Sequence, residues 1–250
     1  MDNLVLYEEK EYGVLTLNRP EKRNAISIDM ARQLSSLLTE IKDRPIPFLV
    51  IKSAGEGVFC SGGDLSELHG ELSEQEAYET LGFMKDVLSQ IVSLPIPTIA
   101  LLHGNALGGG CELATACDIR IAREGTKFGF VQSNLGILPG WGGGAILYEK
   151  VSPSFALQWL TEGEMHPAGF LLEKGWLHQL VDEVSWNDMD DLLQPYIRKS
   201  TKQMRYLKAQ FKTAINSDEL LDKMDIESRN TASLWASEHH QQVVQSFLNK

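Results

Sequence analysis

His103-Gly-Asn-Ala-Leu-Gly-Gly-Gly-Cys-Glu112 stands between two short apolar runs, Pro97-Thr-Ile-Ala-Leu-Leu102 and Asp118-Ile-Arg-Ile-Ala122. Continuously apolar runs of this length are the pattern of strands buried on both faces. The glycines Gly108 to Gly110, followed by Cys-Glu-Leu-Ala-Thr-Ala-Cys117, suit a helix that begins at the glycines. Strand, glycine loop, helix and strand in such close succession predict an α/β fold.

Upstream, Tyr12-Gly-Val-Leu-Thr-Leu-Asn18 alternates and ends at a turn made by Asn18 and Pro20, so it reads as a strand delivering a loop. From Ser27 to Asp43, apolar residues recur at helical spacing, with Ser27 or Asp29 as the start signal. Phe48-Leu-Val-Ile51 is another buried strand. After about residue 145 the pattern is mostly helical: Ser154 to Leu160, Ala168 to Lys174, Met189 to Ile197, Lys202 to Ile215 and Asp218 to Phe247. No linker separates the halves. The expectation is one α/β domain, with residues 1–195 as its core and 196–250 as a helical C-terminal region that packs in an oligomer.

The 250 residues are 43% hydrophobic and 23% charged, within the globular range. Met1 to Lys10 lacks the basic start and apolar run of a signal peptide, and Ile91 to Leu102 is broken by Pro95 and Pro97 and falls short of the roughly 20 residues of a membrane span. Three cysteines without C-x-x-C spacing favour reduced thiols over a disulfide framework or zinc site. These features predict a cytoplasmic protein with no membrane partner and no metal. The net charge of −11 argues against nucleic-acid binding, which draws affinity from Lys and Arg on phosphates. An anionic ligand would meet a local basic cluster, Arg19, Lys22 and Arg23 around Pro20.

A second glycine segment, Val58-Phe-Cys-Ser-Gly-Gly-Asp-Leu65, follows the Phe48 strand. Ser61, Gly62 and Gly63 let ligand atoms approach backbone amides closely, and Asp64 can orient the turn. The Gly108 to Glu112 segment offers free amides and the positive dipole end of a helix, which favour developing negative charge. Two such amides converging on one oxygen make an oxyanion hole.

On these segments the chain resembles the crotonase superfamily of enoyl-CoA hydratases and isomerases. The resemblance runs nearly end to end, through Leu17-Asn-Arg-Pro-Glu-Lys-Arg-Asn-Ala25, Phe59-Cys-Ser-Gly-Gly-Asp64, Gly104 to Glu112, Ala116-Cys-Asp-Ile-Arg-Ile-Ala122, Leu135-Gly-Ile-Leu-Pro-Gly-Trp-Gly-Gly143 and the closing Phe247-Leu-Asn-Lys250. It implies a spiral of β-β-α turns assembled as a homotrimer or dimer of trimers. It implies an acyl-coenzyme A thioester as substrate, with no cofactor beyond the coenzyme A that the substrate carries. By motif position, the amides of Gly63 and Gly109 would form the oxyanion hole. Lys22, Arg23 and Ala25 would lie at the coenzyme A, Ser61, Gly62, Asp64, Leu65 and Ser66 would contact pantetheine and adenine, and Leu68 would line the acyl pocket.

The family's hydratases use two glutamates. Glu112 matches the first, whereas Gln132 stands at the second, and an amide does not titrate in the useful range. Three reactions fit this pattern: double-bond migration with Glu112 shuttling a proton, hydration with Glu112 activating water, and decarboxylation to an enolate. A binding protein without turnover is a further alternative. Gly144 stands where many relatives have threonine, and the arginine often found shortly after it is absent from Ala145 to Lys150. Gly140-Trp-Gly-Gly-Gly-Ala145 also fits the loose dinucleotide pattern of NAD-dependent oxidoreductases, although its context looks like a loop. Cys60 and Cys111 read as packing residues, His103 as structural, and His239 and His240 as solvent-exposed. Trp141 and Phe130 could line the acyl pocket or fill the core.

Overall fold

In the computed structural model, which describes residues 3–64, 67 and 72–248, the chain winds between two sheets. The larger has the order β1-β2-β3-β5-β7-β10 and the smaller β4-β6-β8-β9. After the antiparallel pair β1 (Val5–Glu9) and β2 (Gly13–Leu17), a pattern repeats three times. A strand of the large sheet is followed by a short strand of the small sheet and then by a helix. The turns are β3 (Leu49–Ser53), β4 (Val58–Cys60) and α2 (Glu74–Ser93); β5 (Thr98–Leu102), β6 (Asn105–Leu107) and α3 (Gly109–Ala116); and β7 (Ile119–Arg123), β8 (Lys127–Gly129) and α4 (Gly143–Lys150). This is the expected spiral of β-β-α turns.

Alternation along the parallel strands divides the core in two. Leu15 pairs with Ile51 and Ile51 with Ala100, and this face packs on α1 (Ile28–Ile41), α2 and α3. Val14 pairs with Val50 and Val50 with Ile99; with Phe48, Leu193 and Met204 they form a second cluster on the opposite face. That face is covered by α8 (Met189–Ile197) and α9 (Thr201–Ala214), which explains why every residue of β5 is buried. Part of the C-terminal helical region therefore belongs to the core of its own chain, and the division drawn at residue 195 falls inside α8.

Ser27 caps α1 as read from the sequence, its hydroxyl accepting from the Met30 amide. Two helical features differ from the reading. The helix expected from Asp218 to Phe247 is two helices, α10 (Ser217–Trp235) and α11 (Glu238–Leu248). The break falls where the Ser237 hydroxyl accepts from the His240 amide and starts a new helix. The twenty-residue α2 was not read at all, although Ser73 and Glu76 form a reciprocal capping box at its start. Between α4 and α8 lie α5 (Pro153–Glu162), β9 (Met165–Pro167), α6 (Ala168–Glu173), β10 (Gln179–Val181) and α7 (Glu183–Trp186).

Candidate active site

The topology brings three loops together. Strands β4, β6 and β8 are parallel neighbours, so the segments that leave their C-terminal ends lie side by side. Those segments carry Ser61–Gly63, Gly108–Glu112 and Gln132, and the carboxyl ends of parallel strands are where ligands bind in open α/β sheets. The first two meet at Gly62: a Cβ there would lie 3.3 Å from the Gly109 nitrogen and 3.2 Å from the Leu107 oxygen, and its φ of +100° suits glycine alone. The Gly109 amide is the first of α3 and has no partner within the helix. Gly63 bridges to Ile26, whose amide donates to the Gly62 carbonyl at 2.8 Å and whose carbonyl accepts from the Asp64 amide at 2.9 Å.

Glu112 is 2% exposed, and both its oxygens are occupied. Oε2 accepts from the Trp141 amide at 2.9 Å and the Gly143 amide at 3.0 Å. Oε1 accepts from Gln132 Nε2 at 2.9 Å and, less closely, from the Gly140 amide at 3.3 Å. Burial pushes this carboxyl above its ordinary range, while the backbone amides and Gln132 pull it back down. Gln132 is itself buried, and its Oε1 has no partner among the described residues. The residue that departs from the two-glutamate pattern is thus a donor to the first glutamate, and it also presents an unused acceptor.

The glycine-rich loop from Gly140 is therefore a carboxylate cradle. Its glycines open α4 without a preceding strand, which removes the context a dinucleotide fingerprint needs. Helix α10 holds it from behind: Thr231 Oγ1 donates to the Pro139 carbonyl at 2.8 Å and Ser228 Oγ to the Gly140 carbonyl at 2.7 Å. Glu227 accepts from the amides of Gly144 at 3.2 Å and Ala145 at 2.6 Å. A Cβ on Gly144 would lie 2.4 Å from a Glu227 oxygen, so glycine at 144 leaves the room this carboxylate occupies. Sequence reasoning missed Glu227, because nothing in the Glu219-to-Arg229 stretch distinguishes it from the charged face of a helix.

Trp141 presses its ring on Gly109, where a Cβ would lie 2.2 Å from two ring carbons. It also borders a narrow apolar cavity of about 20 Å³ lined by Ile26, Leu72, Ala77, Leu81, Met84 and Trp235 among others. Phe130 packs edge-on to Trp159 in the core instead, with centroids 5.0 Å apart.

In the basic cluster the three residues divide. Arg19 is mostly buried, pairs with the Asp64 carboxylate and donates to the Ala25 carbonyl, so it and Asp64 tie the Pro20 loop to the glycine segment. Lys22 and Arg23 are exposed, and the Arg23 carbonyl accepts from the Ser61 amide at 3.2 Å. Ala25 is buried beside them. Leu65, Ser66 and Leu68 lie outside the described residues. Cys60 and Cys111 are fully buried thiols pushed up by burial, as packing residues would be. His103 is half-buried and its pKa lowered, chiefly by burial. His240 departs from the expectation of solvent exposure: it is 2% exposed, with Nδ1 2.6 Å from the Leu135 carbonyl oxygen and its ring against Trp235. No helix among the described residues is long and apolar enough to cross a membrane.

Comparison with known proteins shows the family to which the chain belongs. Residues 8–250 match the family model described as enoyl-CoA hydratase/isomerase. A crotonyl-CoA hydratase of Syntrophomonas wolfei is 31% identical, covering all of this chain and 96% of the relative. An ethylmalonyl-CoA decarboxylase of Gallus gallus is 38% identical over 62% of this chain and 52% of its own length. Among solved structures, an enoyl-CoA hydratase from Mycobacterium avium superposes with a TM-score of 0.84 at 26% identity, covering 100% of this chain and 97% of that one.

Proposed function

Since this chain belongs to the enoyl-CoA hydratase/isomerase family, we propose that it forms and quenches a thioester enolate between two backbone amides with a single carboxylate, Glu112, moving the proton. The observation that carries this reading is the placement of Glu112. It is buried one turn into the helix whose leading amide, Gly109, abuts the Ser61–Gly63 segment, and no second carboxylate stands at position 132.

The thioester carbonyl would take the amides of Gly63 and Gly109, donors fixed before the charge develops. Lys22 and Arg23 would meet the coenzyme A phosphates, with Ala25, Ser61, Gly62 and Asp64 shaping the floor beneath the pantetheine. The apolar cavity beside Trp141 marks where the acyl chain would enter. At about 20 Å³ it admits little more than one water, so a chain must displace side chains to fit.

An ionised carboxylate offers about four acceptor positions, and four N–H donors fill those of Glu112. To take a proton, one donor must yield. Oε2 is held by two close backbone amides, whereas Oε1 is held by a side chain and the longest contact, 3.3 Å. Oε1 is therefore the working oxygen, freed when Gln132 swings its amide away. In double-bond migration, Oε1 takes a proton from C2 of a 3-enoyl thioester, the C–H electron pair passes to the thioester oxygen as enolate, and the same carboxyl returns the proton at C4. No water and no second acid is consumed, which suits a site with one carboxylate at the substrate.

The occupancy of Glu112 also favours a second reading. A carboxylate whose acceptor positions are all filled resembles a fixed wall more than a base, and the same amide hole would stabilise the enolate left when a 2-carboxyacyl thioester loses carbon dioxide. The two readings part when wild type and Glu112→Gln are offered a 3-enoyl-CoA, crotonyl-CoA and a 2-carboxyacyl-CoA. Migration that collapses in the variant supports the first; decarboxylation that survives it supports the second. Failure to bind acetyl-CoA at all would end both. Exposed Leu157, Tyr206, Leu207 and Ile226 offer faces for a homotrimer or dimer of trimers in the cytoplasm, to be checked by sedimentation.

A further inference from the structure

The loop that cradles Glu112 serves two carboxylates at once. The amides of Gly140, Trp141 and Gly143 donate to Glu112, those of Gly144 and Ala145 donate to Glu227, and the Gly142 amide is turned toward Glu227. Six successive amides from Gly140 to Ala145 thus face one carboxylate or the other. The two acids reach the loop from different helices, α3 and α10, and glycine at 143 and 144 leaves them room: a Cβ on Gly143 would lie 2.4 Å from Glu112 Cβ, and one on Gly144 2.4 Å from Glu227 Oε2.

From this geometry we propose that Glu227 is a positioning residue whose charge sets the pH at which Glu112 changes from proton donor to proton acceptor. The inference rests on the reading of Glu112 as the acid-base group. Two carboxylates at one helix N-terminus compete for its amides and dipole, and in a dry site like charges do not both ionise freely. Burial raises both carboxyls, and the Glu112 charge raises Glu227 further. Among the other charged groups on the packed helices, Lys85 of α2 and Arg229 pair with Asp225, Lys223 with Glu149 and Glu219, and His240 of α11 meets the Leu135 carbonyl.

A purely structural role for Glu227 predicts the opposite sign. If Glu227 only held the loop, its removal would loosen the amides on Glu112 and raise the Glu112 midpoint. If its charge acts on Glu112, removal lowers that midpoint. Glutamate carboxyls labelled with carbon-13 would be titrated by NMR in wild type, Glu227→Gln, Glu227→Asp and Glu112→Gln, with circular dichroism checking the fold. The expected result is a fall of about one pH unit at Glu112 in Glu227→Gln, near-wild-type behaviour in Glu227→Asp, and a fall at Glu227 in Glu112→Gln, the two sharing one coupling energy with the larger fall at whichever carboxyl ionises second. An unchanged or raised Glu112 midpoint in Glu227→Gln overturns the proposal. Should that variant not fold, an unshifted Glu227 in Glu112→Gln overturns it equally. Catalysis that survives Glu112→Gln would instead sink the acid-base reading while leaving the coupling measured.

Discussion

Gln132 donates its side-chain amide to Glu112 Oε1 at 2.9 Å, so a neutral side chain supplies one of the four donors that hold the buried carboxylate. Removing that donor by Gln132→Ala should raise the Glu112 midpoint, because a hydrogen bond to the charged form lowers it. A bond to a charged group is worth about 1.5–3 kcal/mol, or roughly one to two pH units. The acid limb of the pH-rate profile measures the shift, and a downward movement would contradict the geometry. Gln132→Glu would set two buried carboxyls in contact and should raise the limb further while giving measurable hydration of crotonyl-CoA.

Glu112→Gln should lower turnover by about 10²- to 10⁴-fold, the usual contribution of a positioned acid-base group. The residues proposed to meet coenzyme A, Lys22 and Arg23, are on another segment than the carboxyl, so the dissociation constant for acetyl-CoA should stay within a few-fold of wild type. Calorimetry beside steady-state kinetics separates the two.

Stability should depend on pH through the same residue. The folded value of Glu112 is raised to about 7 by burial, against about 4.3 for an unfolded glutamate. A raised carboxyl leaves the fold intact below the unfolded value and weakens it as pH rises toward the folded one. The difference in Tm between Glu112→Gln and wild type should therefore be more favourable to the variant at pH 8 than at pH 5. A difference that is flat across this range would mean that the carboxylate bears no burial penalty.

Arg19 and its neighbours should behave differently. Arg19 and Asp64 are a nearly buried pair, with side chains 14% and 9% exposed, so Arg19→Ala should cost about 3–5 kcal/mol of stability by removing the cation that faces a buried carboxylate. Lys22→Ala with Arg23→Ala should leave stability nearly unchanged and weaken coenzyme A binding in a salt-dependent way. Denaturant titration and binding at two ionic strengths distinguish these outcomes.

Gly109→Ala would put a methyl 2.2 Å from the Trp141 ring. Overpacking of this kind costs about 1–3 kcal/mol, and because the Trp141 amide holds Glu112, the strain should reach the carboxylate as well. Pairing the change with Trp141→Leu should recover most of the stability. A double-mutant cycle without coupling would place the ring elsewhere in solution.

Sequence patterning reached the buried strands, the first helix and its cap, and the glycine segments, because each is dictated by local backbone chemistry and by burial on both faces. Resemblance supplied the spiral, which no local pattern states. The small-sheet strands of three residues are too short for a period to register, and α2 went unread because its apolar stripe abuts the proline-broken tract after Ile91. At the site, position 112 was legible from its glycines. The partners of Glu112 were not: three of its four donors are backbone amides that any sequence would carry, and the loop's support comes from Glu227, Ser228 and Thr231, more than eighty residues away.

The fit of Gly144 against Glu227 also makes the two positions answer to each other. A Cβ at 144 would stand 2.4 Å from the Glu227 oxygen that now fills that space, and the oxygen is the far end of a side chain that can turn away. Any residue larger than glycine at 144 would therefore be accommodated by releasing the glutamate, and the loop would lose the acceptor of its Gly144 and Ala145 amides while the fold around it stayed in place.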